Sequence, residues 1–436
     1  LFLFYFYCWI EKIQIMINDI KIWTLLLVII FVPMLKAQDS ITLENCYVLS
    51  RQNYPLLKQQ RILETIKDYT IENLSKGYLP NLSINGQASY QSDVTELPFK
   101  LPNLSVPALN KDQYKLYLDA YQPILDGKMV KRQQNLVNAA TQVEIEKVEV
   151  ELYKLKERID QIFFGILLMD AQKLQTQNLI KDLQNTLKKT NAAITNGTAL
   201  PSSASLINAE ILKINQREIE LNANRRAFIN VLSMLTKTAL SEASIFVKPE
   251  YITSNEVSGR PELRLYQAQK SSFVAQDQLI SAKNSLKLGL FGQAGYGRPA
   301  FNFFNNQFDF YYIGGLKLTM NLSNLYTDKA ERAILITNQN SIDIQQESFE
   351  LNNSLILTQQ EVEINKFKEL ILTDKEIIDL RLKVISVAES QLNNGTLSTT
   401  DYITNLNALD QAEQNQALHI LQLLQAQINQ QTTKGK

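Results

Sequence analysis

The feature that most constrains this chain is a run of apolar residues spaced as a helix–helix seam demands. Ile145, Val148, Leu152, Leu155, Ile159, Ile162, Ile166 and Met169 follow one another at intervals of 3, 4, 3, 4, 3, 4 and 3. That period keeps every side chain on one narrow stripe, which a helix buries only by coiling around a neighbour. Ile180, Leu183 and Leu187 resume the phase beyond the polar residues Lys173 and Thr176. Farther on, Ile207, Ile214, Leu221, Phe228 and Leu235 recur every seven residues, as do Ile364, Ile371, Ile378, Ile385 and Leu392. A helix from Lys128 to Thr190 would be about 95 Å long at 1.5 Å per residue. A globular core has no need of such rods; a duct crossing a wide gap does. The remaining faces are rich in Gln, Asn, Lys and Glu. They read either as ordinary solvated surface or as the wet inner and outer walls of a tube, and the whole pattern suits the tube.

The chain also reads as one unit written twice. Asn53-Tyr54-Pro55-Leu56-Leu57 recurs as Gly259-Arg260-Pro261-Glu262-Leu263, and Gly86-Gln87-Ala88-Ser89-Tyr90 as Gly292-Gln293-Ala294-Gly295-Tyr296. The two offsets are equal, since 261 − 55 = 206 and 292 − 86 = 206. Asn196-Gly197-Thr198 recurs as Asn394-Gly395-Thr396 at an offset of 394 − 196 = 198. The stretch between Tyr90 and Pro123, with Pro98, Pro102 and Pro107, accounts for the shortfall. We therefore expect a first repeat over 38–240 and a second over 241–436, each a helix, two strands and a long helical hairpin. The first helices are expected over Ile41–Lys76 and Pro261–Lys283.

Four segments alternate with period 2: Leu82–Tyr90, Tyr114–Gln122, Leu286–Tyr296 and Phe308–Met320. Alternation of that length reads as half-buried strands. Their tyrosines, Phe308, Phe310 and glycines suit a sheet with lipid on one side and water on the other, for which ~9–11 residues per strand suffice.

Residues 1–37 read as a signal peptide. Lys21 precedes the apolar core Ile22–Val32, and Ala37 sits before Gln38. A core of this length falls short of the ~20 residues that span a bilayer. An N-terminal membrane anchor is the other reading. Residues 1–15 precede Met16, the expected true start. Asn45 and Glu44 before Cys46 argue against a lipid-anchored cysteine, which is better placed inside a helix.

Composition excludes several function classes. Forty-four Lys and Arg balance forty-four Asp and Glu, giving a net charge of zero and no basic excess for nucleic acid. Two distant cysteines, Cys8 and Cys46, make neither a disulfide framework nor a metal cluster. His419, beside Ile420 and Leu421, has no second histidine with which to bind a metal and reads as a packing or surface residue. Gly292, Gly295 and Gly297 lack the spacing of a dinucleotide loop. No catalytic residue, metal site or cofactor is expected.

The order of elements resembles the TolC family of outer-membrane efflux proteins across nearly the whole chain, 39–430. The resemblance rests on Pro55 and Pro261, on the strand-to-helix turn Tyr121-Gln122-Pro123-Ile124-Leu125-Asp126-Gly127, and above all on two helical tips. These are Thr195–Leu200, with Asn196, Gly197 and Thr198, and Asn393–Leu397, with Asn394, Gly395 and Thr396. Asn-Gly stops a helix because glycine adopts the left-handed conformation cheaply. Ser202 or Ser203, and Ser398 to Asp401, offer oxygens for the N–H groups of the next helix.

The resemblance implies a mainly α fold with a transmembrane β part: coiled helices forming a periplasmic α-barrel, and four strands per chain in a trimeric twelve-stranded β-barrel. It implies a homotrimer in outer-membrane lipid with a long periplasmic extension. It further implies a periplasmic adaptor (membrane fusion) protein at the tips and an inner-membrane RND or ABC transporter, in multidrug efflux or type I secretion. The family commonly carries acidic residues six and nine positions after the tip glycine, where they narrow the pore. Gly395 is followed at six by Asp401, a match, and at nine by Thr404, a departure; Gly197 is followed at six by Ser203. A single ring of Asp401 carboxylates is thus the implied constriction, with a helix N-terminal carboxylate as the plainer reading of the same residue. The family's basic latch position is Leu397 here. The rival outside this class is a periplasmic coiled-coil scaffold without a pore, which would have no membrane strands.

Overall fold

The computed structural model describes residues 40–95, 109–250, 259–302 and 304–435. The expected signal peptide, and Pro98, Pro102 and Pro107, lie outside the described residues.

Two short helices come first, α1 (Leu43–Asn53) and α2 (Leu57–Ser75). The sequence pattern suggested one continuous helix here. Tyr54 divides it with ψ 130, because the Pro55 ring disfavours helical backbone in the residue before it. Strands β1 (Asn81–Tyr90) and β2 (Asp112–Leu125) follow. Next is a long hairpin, α3 (Met129–Thr195) and α4 (Pro201–Thr236). The order then recurs as α5 (Pro261–Lys283), β3 (Lys287–Arg298), β4 (Asp309–Thr319), α6 (Leu325–Asn393) and α7 (Thr399–Thr433). The long helices exceed expectation: 67 residues in α3 and 69 in α6, about 100 Å each at 1.5 Å per residue.

The strands form one antiparallel sheet in the order β1-β2-β3-β4. Below it the helices keep that order. α2 packs on α3, α3 on α5 and α5 on α6, and each is continuous in sequence with its strand. The chain is therefore a ribbon, with β1 and α2 along one edge and β4 and α6 along the other.

The seam of α3 is buried as its spacing requires, with Val148, Leu152, Leu155, Ile159, Ile162 and Ile166 all out of solvent. Lower down the stripe does not skip its polar residue. Thr176 is fully buried and donates its hydroxyl to the Gln172 carbonyl at 2.8 Å, so Thr176, Leu179, Leu183, Thr186 and Thr190 extend the seam. A small side chain bonded to its own helix carries no orphaned polar group into the core. The main core gathers round Phe163, where Leu43 and Cys46 of α1, Leu232 of α4 and Leu424 and Ile428 of α7 meet α3. A second cluster, Leu183, Ile207, Ala388, Tyr402 and Leu406, joins the two hairpins nearer their tips.

Candidate functional site

The sheet sorts its residues by polarity with few exceptions. Register rows run Ile84↔Leu118↔Ala294↔Tyr312 and Gly86↔Leu116↔Tyr296↔Phe310 on one face. Because strand side chains alternate, Leu82, Tyr90, Tyr114, Leu290, Leu316 and Leu318 share that face. They are strongly exposed, Tyr312 at 86% and Ile84 at 76%, although burying a side chain of this size stabilises a water-soluble fold by ~1.5–3 kcal/mol. The other face carries Asn81, Ser83, Asn85, Gln87, Lys115, Asp119, Gln293 and Lys317. Rings crowd one end of the apolar face. Tyr296 lies 5.7 Å from Phe308 and 4.8 Å from Phe310, and Arg298 sits over Tyr114 and Phe308 while pairing with Asp112. An apolar band edged with aromatic side chains, opposite a polar face, is the arrangement of a lipid-facing barrel wall. Among the described residues neither β1 nor β4 has a partner on its outer side, and lipid does not satisfy such edges.

The two tips are built alike. Gly197 has φ 72 and Gly395 has φ 71. At the first, Gly197 N–H donates to the Ile194 carbonyl at 3.0 Å and Thr198 N–H to Ala193 at 2.8 Å. At the second, Gly395 N–H donates to Leu392 at 3.1 Å and Thr396 N–H to Gln391 at 2.9 Å. This is the Schellman pairing of carbonyls left open at a helix end. Thr198 and Thr396 each add a hydroxyl bond to the same carbonyl. The starts of the following helices differ. Ser398 caps α7, accepting from Asp401 N–H at 3.1 Å and donating its hydroxyl to Asp401 Oδ2 at 2.6 Å. Asp401 is exposed, in a capping arrangement at a helix N-terminus. Ser202 and Ser203 do not cap α4, contrary to the sequence reading. Pro201 occupies its first turn, where the missing N–H costs nothing, and Leu200 precedes it.

Polar ties between the hairpins lie just above the tips. Lys189 Nζ reaches Glu389 Oε1 at 2.6 Å, and Asn407 Nδ2 donates to Glu210 Oε1 at 2.9 Å. Arg217 Nη1 meets buried Asp410 Oδ2 at 2.9 Å, and Gln414 donates to the same oxygen at 2.7 Å. Burial raises the carboxyl pKa of nearby Asp182 and Glu413. His419, read from sequence as a packing or surface residue, places Nδ1 2.6 Å from Oδ2 of buried Asp374. A partner 45 residues away carries no local signal. Likewise Asp160, a charged residue one position past the seam residue Ile159, is fully buried and accepts from the Tyr47 hydroxyl. No group of three or more His, Cys, Asp or Glu able to hold a metal occurs among the described residues.

A ribbon with an amphipathic four-stranded sheet above, and below it helical hairpins whose longer arms of 67 and 69 residues run about 100 Å, defines the class of the TolC-like outer-membrane channels, and the chain has their fold. The outer-membrane channel OprN superposes with a TM-score of 0.64 at 12% identity, over 90% of this chain and 89% of that one. The open-state MtrE outer membrane channel of Neisseria gonorrhoeae gives 0.63 at 12%, over 90% and 88%. The outer membrane protein VceC of Vibrio cholerae gives 0.57 at 10%, over 90% and 96%. No family model and no curated protein matches the chain by sequence.

Proposed function

We propose that the chain is the outer-membrane exit duct of a tripartite efflux pump or a type I secretion system. The observation that carries this reading is the two-faced sheet with both edges open, continuous with helices of about 100 Å. Three copies joined edge to edge give twelve strands and a closed barrel, leaving the apolar face on lipid and the polar face on water. The helices beneath then form a tube through the periplasm. Exposed apolar residues on the two helical edges, Ile62, Ile66 and Tyr69 on α2 and Leu351 and Leu355 on α6, support burial between copies. They also count against a pore-free scaffold, which would leave the sheet's apolar face in water.

In this reading each chain is a duplicated unit, 38–240 and 241–436. The tips Asn196-Gly197-Thr198 and Asn394-Gly395-Thr396 meet a periplasmic adaptor, which links the duct to an inner-membrane RND or ABC transporter. Three Asp401 carboxylates ring the lower opening and favour cations. The duct performs no chemistry of its own. Reconstitution into planar bilayers tests the proposal. Discrete, cation-preferring channels from a detergent-extracted trimer are expected; a monomer that stays in solution without detergent refutes it.

A further inference from the structure

The polar face of the sheet holds rings that neither membrane contact nor polarity explains. Tyr117, Asp119 and Tyr121 follow one another along β2 on that face. Phe291 is the register partner of Tyr121, and Tyr311 lies across Gly295 from Tyr117. The rings form two tiers, with Asp119 and Gln293 in the row between them.

Three of the four rings, those of Tyr121, Tyr311 and Phe291, lie against a glycine on a neighbouring strand. A Cβ on Gly289 would stand 2.5 Å from Cζ of Tyr121, one on Gly295 2.9 Å from Cζ of Tyr311, and one on Gly315 3.0 Å from Cε1 of Phe291. A bare glycine leaves room for a ring beside the backbone, so Tyr121 and Phe291 line the wall, while Tyr311 is buried against Phe301. Asp119 forms no ion pair among the described residues, and it sits two positions from each flanking tyrosine on the same strand face. A carboxylate between two tyrosine rings attracts a cation by charge and holds it by the ring quadrupoles. Aromatic faces along a wall favour a planar partner over a globular one.

We propose that this wall is a weak binding lane for planar organic cations leaving the barrel, with Asp119 supplying the charge and Tyr121 and Phe291 the stacking faces. The inference rests on the duct reading and deepens it by giving the exit a chemical preference.

The test uses the full trimer in planar bilayers, with 1-methylquinolinium as planar probe and tetraethylammonium as a non-planar cation of equal charge. Quinolinium is expected to block more strongly than tetraethylammonium. Asp119→Asn should weaken quinolinium block at least fivefold, and Tyr121→Leu, which keeps an apolar cover over Gly289, at least threefold with tetraethylammonium block unchanged. Channels in which both probes block equally, or in which the variants change nothing, overturn the lane and leave the duct intact. If no channels form, the duct reading fails instead, and ethidium titration of the detergent-solubilised protein decides the lane. A fivefold rise in Kd with Asp119→Asn upholds it; an unchanged Kd overturns it.

Discussion

Replacing Asp160 by Asn should stabilise the protein, and by an amount that grows with pH. Asp160 is fully buried in the main core beside Ile159 and Phe163, and only one of its carboxylate oxygens has a partner. Burial pushes its pKa from 3.8 to about 7. The Tyr47 hydrogen bond and Lys156 pull it down less than burial raises it, and Glu157 adds to the rise. The Tyr47 hydroxyl is itself pushed upward by burial and by Asp160, so it remains the proton donor. The folded-state pKa is raised, so the contribution of Asp160 is complete below about 3.8 and is lost as pH climbs through about 7. At 1.36 kcal/mol per unit, a shift of this size amounts to about 4 kcal/mol above pH 7. Unfolding roughly 400 residues at about 2.1 cal/mol/K each gives an entropy of about 0.8 kcal/mol/K, so the gap in midpoint would be about 5 °C. Thermal unfolding of native and Asp160→Asn protein should coincide near pH 4 and separate steadily to pH 8, with the variant higher. A constant gap across that range, or a variant that melts lower at pH 8, would refute the assignment of a buried, reluctantly ionised carboxyl.

Four further outcomes are expected. Arg217→Ala leaves the buried carboxylate of Asp410 without its cation, with Gln414 still donating to it, and should cost about 2–3 kcal/mol, read as a midpoint a few degrees lower, whereas replacing both partners by Met and Leu should be close to neutral. Gly395→Ala must hold an L-residue at φ 71, so a loss of about 1–2 kcal/mol confined to the tip is expected, seen as faster amide exchange in the last turn of α6. Gly289→Leu drives a side chain into the Tyr121 ring and should prevent trimers from surviving extraction, as judged by sizing in detergent. Asp401→Asn keeps an oxygen toward Ser398 and should leave stability within about 1 kcal/mol while abolishing the cation preference of the channel in reversal-potential measurements.

Much of the fold was legible because its determinants are periodic. The 3-4 spacing from Ile145 to Met169 announced a coiled seam, and Leu82 to Tyr90 announced a two-faced strand, since each pattern repeats a local geometric rule. The tips were legible for a similar reason: Gly197 and Gly395 take the left-handed conformation that Asn-Gly favours. Non-local features were not legible. Nothing near His419 points to Asp374, and nothing near Asp160 points to Tyr47, because those partners meet only after the hairpins pack. Buried Thr176 was misread because a threonine can satisfy its own hydroxyl on the preceding turn, so its presence in a seam breaks the hydrophobic count without breaking the seam. Asp401 was legible as a helix-start carboxylate. The pore constriction proposed for it rests on an axis that a single chain does not contain.

The ribbon supplies the geometry on which the proposed axis rests. The strand order β1-β2-β3-β4 and the helix order α2-α3-α5-α6 are the same order, since each strand runs on into its helix. The open strand edges and the apolar helical edges therefore lie on the same two sides of the chain. A rotation that brings β4 of one copy to β1 of the next also brings α6 to α2, so sheet and helices close by a single operation. The contact is between unlike edges, which yields a ring if the rotation closes and an open filament if it does not. Membrane lipid selects closure, because every strand edge left unpaired in hydrocarbon costs several kcal/mol per backbone group. If three copies close the ring as proposed, cross-linking between cysteines placed on α2 and α6 yields dimers and trimers and nothing larger, and a ladder running past three would break the argument.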